Sequence, residues 1–151
     1  MARNRSGDGV SIEIVDAVSD TFSSALALAK ALGSAVLEPT WWPADLGQVE
    51  YVLDRWPDDH DDQYRIGSIR HDGRSTYVIC HRAVPGAGRA AGEWYAPAEL
   101  ATVRGLIGRV GIPPRLQAVV YRDGSVIHLM GYETEDEIIR TVGSLRKISA
   151  D

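Results

Sequence analysis

Leu116-Gln117-Ala118-Val119-Val120-Tyr121-Arg122-Asp123-Gly124-Ser125-Val126-Ile127-His128-Leu129-Met130-Gly131-Tyr132 is the stretch on which the fold class turns. Two apolar runs of strand length flank an Asp-Gly pair, whose residues accept the positive φ angles of a tight hairpin turn. Strand periodicity puts Val126, His128 and Met130 on one face and Ile127, Leu129 and Gly131 on the other. The partner run divides the same way, with Leu116, Ala118 and Val120 against Val119 and Tyr121. Both faces are therefore apolar, where a sheet with one solvated face would alternate with polar residues. Leaving either face in water forfeits roughly 25 cal/mol per Å2 of apolar area. Amphipathic helices can cover one face. The other calls for tryptophan-bearing loops first, and then for a small apolar ligand or a second copy of the chain.

Working outward, Gln63–Arg70 and Ser75–Arg82 read as a second hairpin about His71-Asp72-Gly73-Arg74, with Val49–Asp54 as a strand before it. Three helices are expected around these strands. The first runs from about Asp16 to Leu32, where Val15, Val18, Phe22, Ala25, Leu26, Ala29 and Leu32 recur at helical steps before Gly33. The second runs near Pro97–Arg109, with Leu100, Val103, Leu106, Ile107 and Val110 as its apolar face and Gly111, Pro113 and Pro114 as its stop. The third opens at Thr134, whose spacing to Glu137 is that of a capping box, and points Ile138, Val142, Leu145 and Ile148 inward. Acids at its start and Arg146 and Lys147 at its end suit the helix dipole. Val10, Ile12 and Ile14 suggest a short strand, and Val36–Pro43 an extended connector. The expectation is an α+β fold: an antiparallel sheet of about five strands with three helices, in the order helix-strand-strand-strand-helix-strand-strand-helix. Residues 1–9 read as a flexible tail and residues 10–151 as a single domain.

The 151 residues, 44% hydrophobic and 25% charged, are enough for one domain with a core independent of disulfide or metal. The net charge of −5 disfavours nucleic acid or an anionic membrane as partner. No apolar run approaches the ~20 residues of a membrane span. Six acids against Arg55 mark Glu50–Asp62, and nine arginines against three acids mark Gln63–Arg122. The arginines are scattered rather than striped, so GC-rich coding explains them better than phosphate recognition does. A single cysteine, Cys80, cannot close an internal disulfide and fits a reducing cytoplasm.

Several arrangements of chemistry-bearing residues fall short of the pattern their chemistry needs. Gly86-Ala87-Gly88-Arg89-Ala90-Ala91 has the glycine spacing of a dinucleotide turn, but Pro85 and Pro97 interrupt the strand and helix it requires and the later acid is missing. His60, His71, His81 and His128 include no helical i, i+4 pair. The Asp58–Asp62 run lacks the glycine and terminal glutamate of a calcium loop. No cofactor and no stoichiometric zinc or calcium is expected. Cys80 with His81 or His128 could form a thiol nucleophile and base, but Cys80 follows Tyr77-Val78-Ile79 as a core residue would, and its strand neighbour His81 should face the other way. No nucleophile elbow, P-loop or zinc-protease helix is present.

Two segments together resemble a bacterial domain of unknown function found in extracytoplasmic regions of anti-sigma factors and in lipoproteins. They are Ala25–Gly33 with Val36–Pro43 and Val49–Leu53, and Val119–Met130 with Thr134–Glu137 and Ser144-Leu145. The arrangement spans about residues 16–148. The resemblance implies no catalytic residues and a location outside the cytoplasmic membrane.

Aromatics carry the functional expectation. Four Trp and six Tyr stand against one Phe, and Trp41-Trp42-Pro43, Trp56-Pro57 and Trp94-Tyr95 all fall in connections. Such side chains suit surfaces that are partly apolar and partly wet. The sequence thus points to a non-enzymatic binding or protein-interaction domain that uses Trp41, Trp42, Trp56, Trp94 and Tyr95 with an apolar sheet face. Its partner would be a protein or a small apolar ligand, and a homodimer is possible. The alternative is a small hydrolase or transferase with His81, Cys80 or His128 in its pocket.

Overall fold

The structure, a computed structural model, describes residues 2–5, 11–14, 18–55, 62–82, 95–100, 103–110, 114–122 and 124–150. Strands β1 (Ala2–Arg5) and β2 (Ser11–Ile14) form an antiparallel pair of their own. Then come β3 (Val18–Phe22), α1 (Ala25–Leu32), β4 (Val36–Glu38), β5 (Glu50–Arg55), β6 (Gln63–Ile69) and β7 (Ser75–Arg82). They are followed by β8 (Tyr95–Leu100), β9 (Val103–Val110), β10 (Arg115–Arg122), β11 (Ser125–Tyr132), α2 (Glu135–Ser144) and β12 (Arg146–Ile148). Eight strands make one antiparallel sheet in the order β3-β5-β6-β7-β11-β10-β9-β8. Each half is a meander of strands in chain order, and the halves join where β7 pairs with β11. No helix among the described residues is long and apolar enough to cross a membrane.

An α+β fold with an antiparallel sheet is what the hairpins indicate, but the count of elements is not. Among the described residues there are two helices, not three, and eight strands in the main sheet rather than about five. The helix expected near Pro97–Arg109 is the hairpin of β8 and β9. Leu100, Val103, Leu106, Ile107 and Val110 satisfy a helical spacing, yet Gly105 and Gly108 would each cost a helix about 1 kcal/mol. As strand residues they pair with Val120 and Gln117 of β10, and that distant pairing decides. Pro97 sits on the edge strand, where a missing N–H is tolerated. The helix expected over Asp16–Leu32 is likewise split. Val18–Phe22 extends as β3 against β5, and α1 begins after Ser24, whose hydroxyl accepts from Ala27 N at 3.1 Å. Gly33 closes α1 with φ 79°, as its position suggested.

The third expected helix is α2. Thr134 Oγ1 accepts from Glu137 N at 3.2 Å, while the Glu137 carboxylate accepts from Glu133 N at 2.9 Å. The helix ends earlier than its apolar spacing suggests, because Arg146–Ile148 leave it to pair with β4. Thr40 and Ser144 reinforce that junction: Thr40 N donates to Ser144 Oγ at 3.1 Å, and Thr40 Oγ1 donates to the Ser144 carbonyl at 2.8 Å.

One face of the sheet builds the core. Strand register lines up Tyr51, Ile66, Val78, Leu129 and Ala118 in one cross-strand row, and Leu53, Tyr64, Cys80, Ile127 and Val120 in the next. Leu28 and Ala29 of α1, Val36 and Leu37 of β4, and Ile138 and Val142 of α2 bury these rows. At its far end Arg70, 3% exposed, ties three segments together. It donates to Asp45 in the connector, to Thr76 on β7 and to Glu137 at the head of α2. Burying this guanidinium is tolerable because charged acceptors surround it.

Candidate functional site

The opposite face of the sheet carries the candidate site. The same register sets Val52, Arg65, Ile79, His128 and Val119 in a row across five strands. A parallel row runs Glu50, Gly67, Tyr77 and Met130. On the other side, His81, Val126 and Tyr121 are cross-strand neighbours. Both described helices pack on the other face, so none of them covers these rows. Val119 and Val126 are nonetheless buried on this face, as Ile127 is on the core face. Ile69 and Tyr121 remain among the exposed large apolar residues.

A cleft of about 510 Å3 opens on this face, lined by Glu50, Val52, Arg65, Gly67, Tyr77 and Ile79 together with Gln63, Ser68, Ile69 and Ser75. Gly67 makes its floor. A Cβ there would lie 2.3 Å from both the Tyr77 Cβ and the Thr76 carbonyl oxygen, so only hydrogen fits and β6 and β7 close up. Tyr77 then stands between this cleft and a shallower hollow of about 290 Å3 lined by Arg74, Arg115, Gln117 and Met130.

One ion pair on the face, Arg65 with Asp54, is closely matched. Asp54 is 4% exposed and accepts from Arg65 Nε at 2.8 Å, Ser19 Oγ at 2.5 Å and Gln63 Nε2 at 3.1 Å. Burial pushes its carboxyl up, but these donors outweigh burial and hold it below the usual carboxylate range. Arg65 is therefore spoken for, and the cleft offers no unmatched cation to attract an anion.

His81 and His128, on adjacent strands, stack with ring centroids 5.1 Å apart, and their Nε2 atoms meet at 3.0 Å. Burial and the neighbouring His81 hold His128 below the ordinary imidazole range. At neutral pH its ring is uncharged. Cys80 points to the core face instead, where the Tyr64 hydroxyl bonds to the thiol and burial pushes it up to about 12. Tyr64 also accepts from Leu37 N at 2.8 Å. A hollow of about 360 Å3 touches both Cys80 and His81, but its thiol is protonated and so a poor nucleophile.

Trp41 and Trp42 lie on the helix side: Trp42 packs against the core, and Arg140 of α2 stands 5.6 Å from the Trp41 ring centroid. Tyr95 begins the edge strand β8. Trp56, Trp94, the Gly86–Ala91 segment and His60 lie outside the described residues. Among the described residues no three His, Cys, Asp or Glu side chains converge as a metal site would. Sequence reasoning missed Tyr77, Arg65 and Gly67. The signal was Gly67 itself, an isolated glycine inside a strand, which often marks close backbone approach. Comparison with protein-family models, curated proteins and solved structures found no match for this chain.

Proposed function

We propose that the chain is a binding domain, and that its ligand is a small, largely apolar molecule seated in the cleft over Gly67. The supporting observation is the cleft itself: about 510 Å3, at the small end of ligand-pocket volumes, walled by Val52, Ile79 and Tyr77 with hydroxyls and one matched ion pair at its margin. A planar or compact apolar group fits against the Tyr77 ring, and the Ser68 and Ser75 hydroxyls supply orientation. The alternative, a small hydrolase or transferase with His81, Cys80 or His128 in its pocket, has no nucleophile in Cys80, which is buried, protonated and bonded to Tyr64.

The test is ligand screening by NMR with a library of small aromatic and aliphatic fragments. Bound fragments should shift the Val52, Tyr77 and Ile79 signals, and Tyr77→Ala and Ile79→Asp should each abolish the effect with the fold retained. Fragments that shift only Trp41 and Trp42 would move the site to the helix side and overturn this reading.

A further inference from the structure

We propose that His81 and His128 form a two-nitrogen chelate for a divalent first-row transition ion, Cu2+ or Ni2+ in preference to Zn2+. The inference is independent of the cleft over Gly67. Its basis is the 3.0 Å between the two Nε2 atoms, set by the register of β7 on β11. With metal–nitrogen bonds of about 2.1 Å, that separation subtends about 90° at a shared ion. This is the angle between adjacent positions of a square-planar or octahedral site, whereas the tetrahedral arrangement of zinc asks for a wider one.

The pair can also open for a metal by a change of tautomer. Only one hydrogen fits between two nitrogens at this distance, so one Nε2 donates and the other accepts. An ion seated beside the N···N line needs both Nε2 lone pairs, so the donating ring gives up its Nε2 proton and takes one up on Nδ1 through solvent, and no net proton is released. Val126 lies across from His81, and Ile79 and Val119 lie across from His128. These apolar neighbours restrict the rings, so little side-chain freedom is lost on binding. Both rings keep contact with solvent, which leaves room for water on the remaining positions. Spacing along the chain could not show this pair, because the histidines are 47 residues apart and meet only through strand pairing.

The experiment is titration of the metal-stripped full chain with CuCl2 and NiCl2 by calorimetry at neutral pH, with pulsed EPR of the copper form. The expected result is one ion per chain with two imidazoles coupled to copper. His81→Ala and His128→Ala should each weaken binding at least tenfold and leave one coupled imidazole, while His60→Ala with His71→Ala changes nothing. Should a variant fail to fold, the EPR spectrum of the unaltered protein decides alone. Absence of stoichiometric binding, binding unchanged in both single variants, or copper held by other nitrogens would overturn the proposal.

Discussion

Arg70 and Glu137, 67 residues apart, meet in two side-by-side hydrogen bonds, Nη1 to Oε1 and Nη2 to Oε2, each 3.0 Å. Glu137 also accepts from the Glu133 backbone at the head of α2, so one carboxylate both caps the helix and moors it to the turn after β6. The pairing is bidentate, and it depends on the planar fork of arginine.

Removing that fork should be costly. Arg70→Met is expected to lower stability by about 2–4 kcal/mol, somewhat less than for a fully enclosed pair because Asp45 and Glu133 retain contact with water. Arg70→Lys should recover only a small part. Urea unfolding of the three proteins measures this, and a loss under about 0.5 kcal/mol for Arg70→Met would contradict it.

Acid should destabilise the protein in a defined direction. Burial pushes Asp54 and Glu137 up, yet Arg65 and Arg70 hold both below their ordinary range. Asp45, beside His71 and Arg70, is held at about 2. Carboxyls depressed in the folded state contribute stability that is present above their unfolded pKa and lost as pH falls through the folded one. Stability should therefore decline from about pH 4 toward pH 2, and Asp54→Asn should flatten part of that slope. A melting temperature constant over this interval would refute the assignment.

Gly131 should resist any side chain. Its φ is 80°, and a Cβ would lie 2.0 Å from the Ser75 carbonyl oxygen on the neighbouring strand. It also sits where the β10–β11 register shifts. Gly131→Ala is expected to cost about 2–4 kcal/mol, combining backbone strain and overpacking. Gly73→Ala, at similar φ but with open space around it, should cost only the strain. Equal losses in thermal unfolding would show that the close approach contributes nothing.

Cys80 should be inert while the protein is folded. It is 1% exposed and its thiol is pushed up to about 12. A thiol reagent at neutral pH should label less than a tenth of native chains over an hour and nearly all chains in denaturant. Rapid native labelling would mean that the β6–β7 region opens readily.

Local chemistry and distant pairing were unequally legible. The Asp-Gly turn at 72–73, the positive φ of Gly124, the Gly33 cap and the Thr134 box depend on neighbours along the chain, and each could be read there. Residues 97–109 could not, because Leu100, Val103 and Ile107 fit two periodicities and only β10 selects between them. Val18–Phe22 failed for the same reason, continuing an apolar stripe that β5 reclaims as strand. The opposite orientations of Cys80 and His81 follow from strand alternation. Their true partners, Tyr64 and His128, are products of register.

The seam between β7 and β11 gives the sheet an assembly order. Within each meander, every strand pairs with one close in the chain, except for the excursion through α1 and β4. Val126 meeting His81 and Leu129 meeting Val78 instead require closing a loop of about 45–50 residues, and the entropy of closure must be met before these contacts form. The two meanders can therefore gather separately and dock late, with β7–β11 amides the last to gain hydrogen-exchange protection during refolding. Until docking, the edges of β7 and β11 present unpaired backbone to other chains, so aggregation during refolding should begin at that seam.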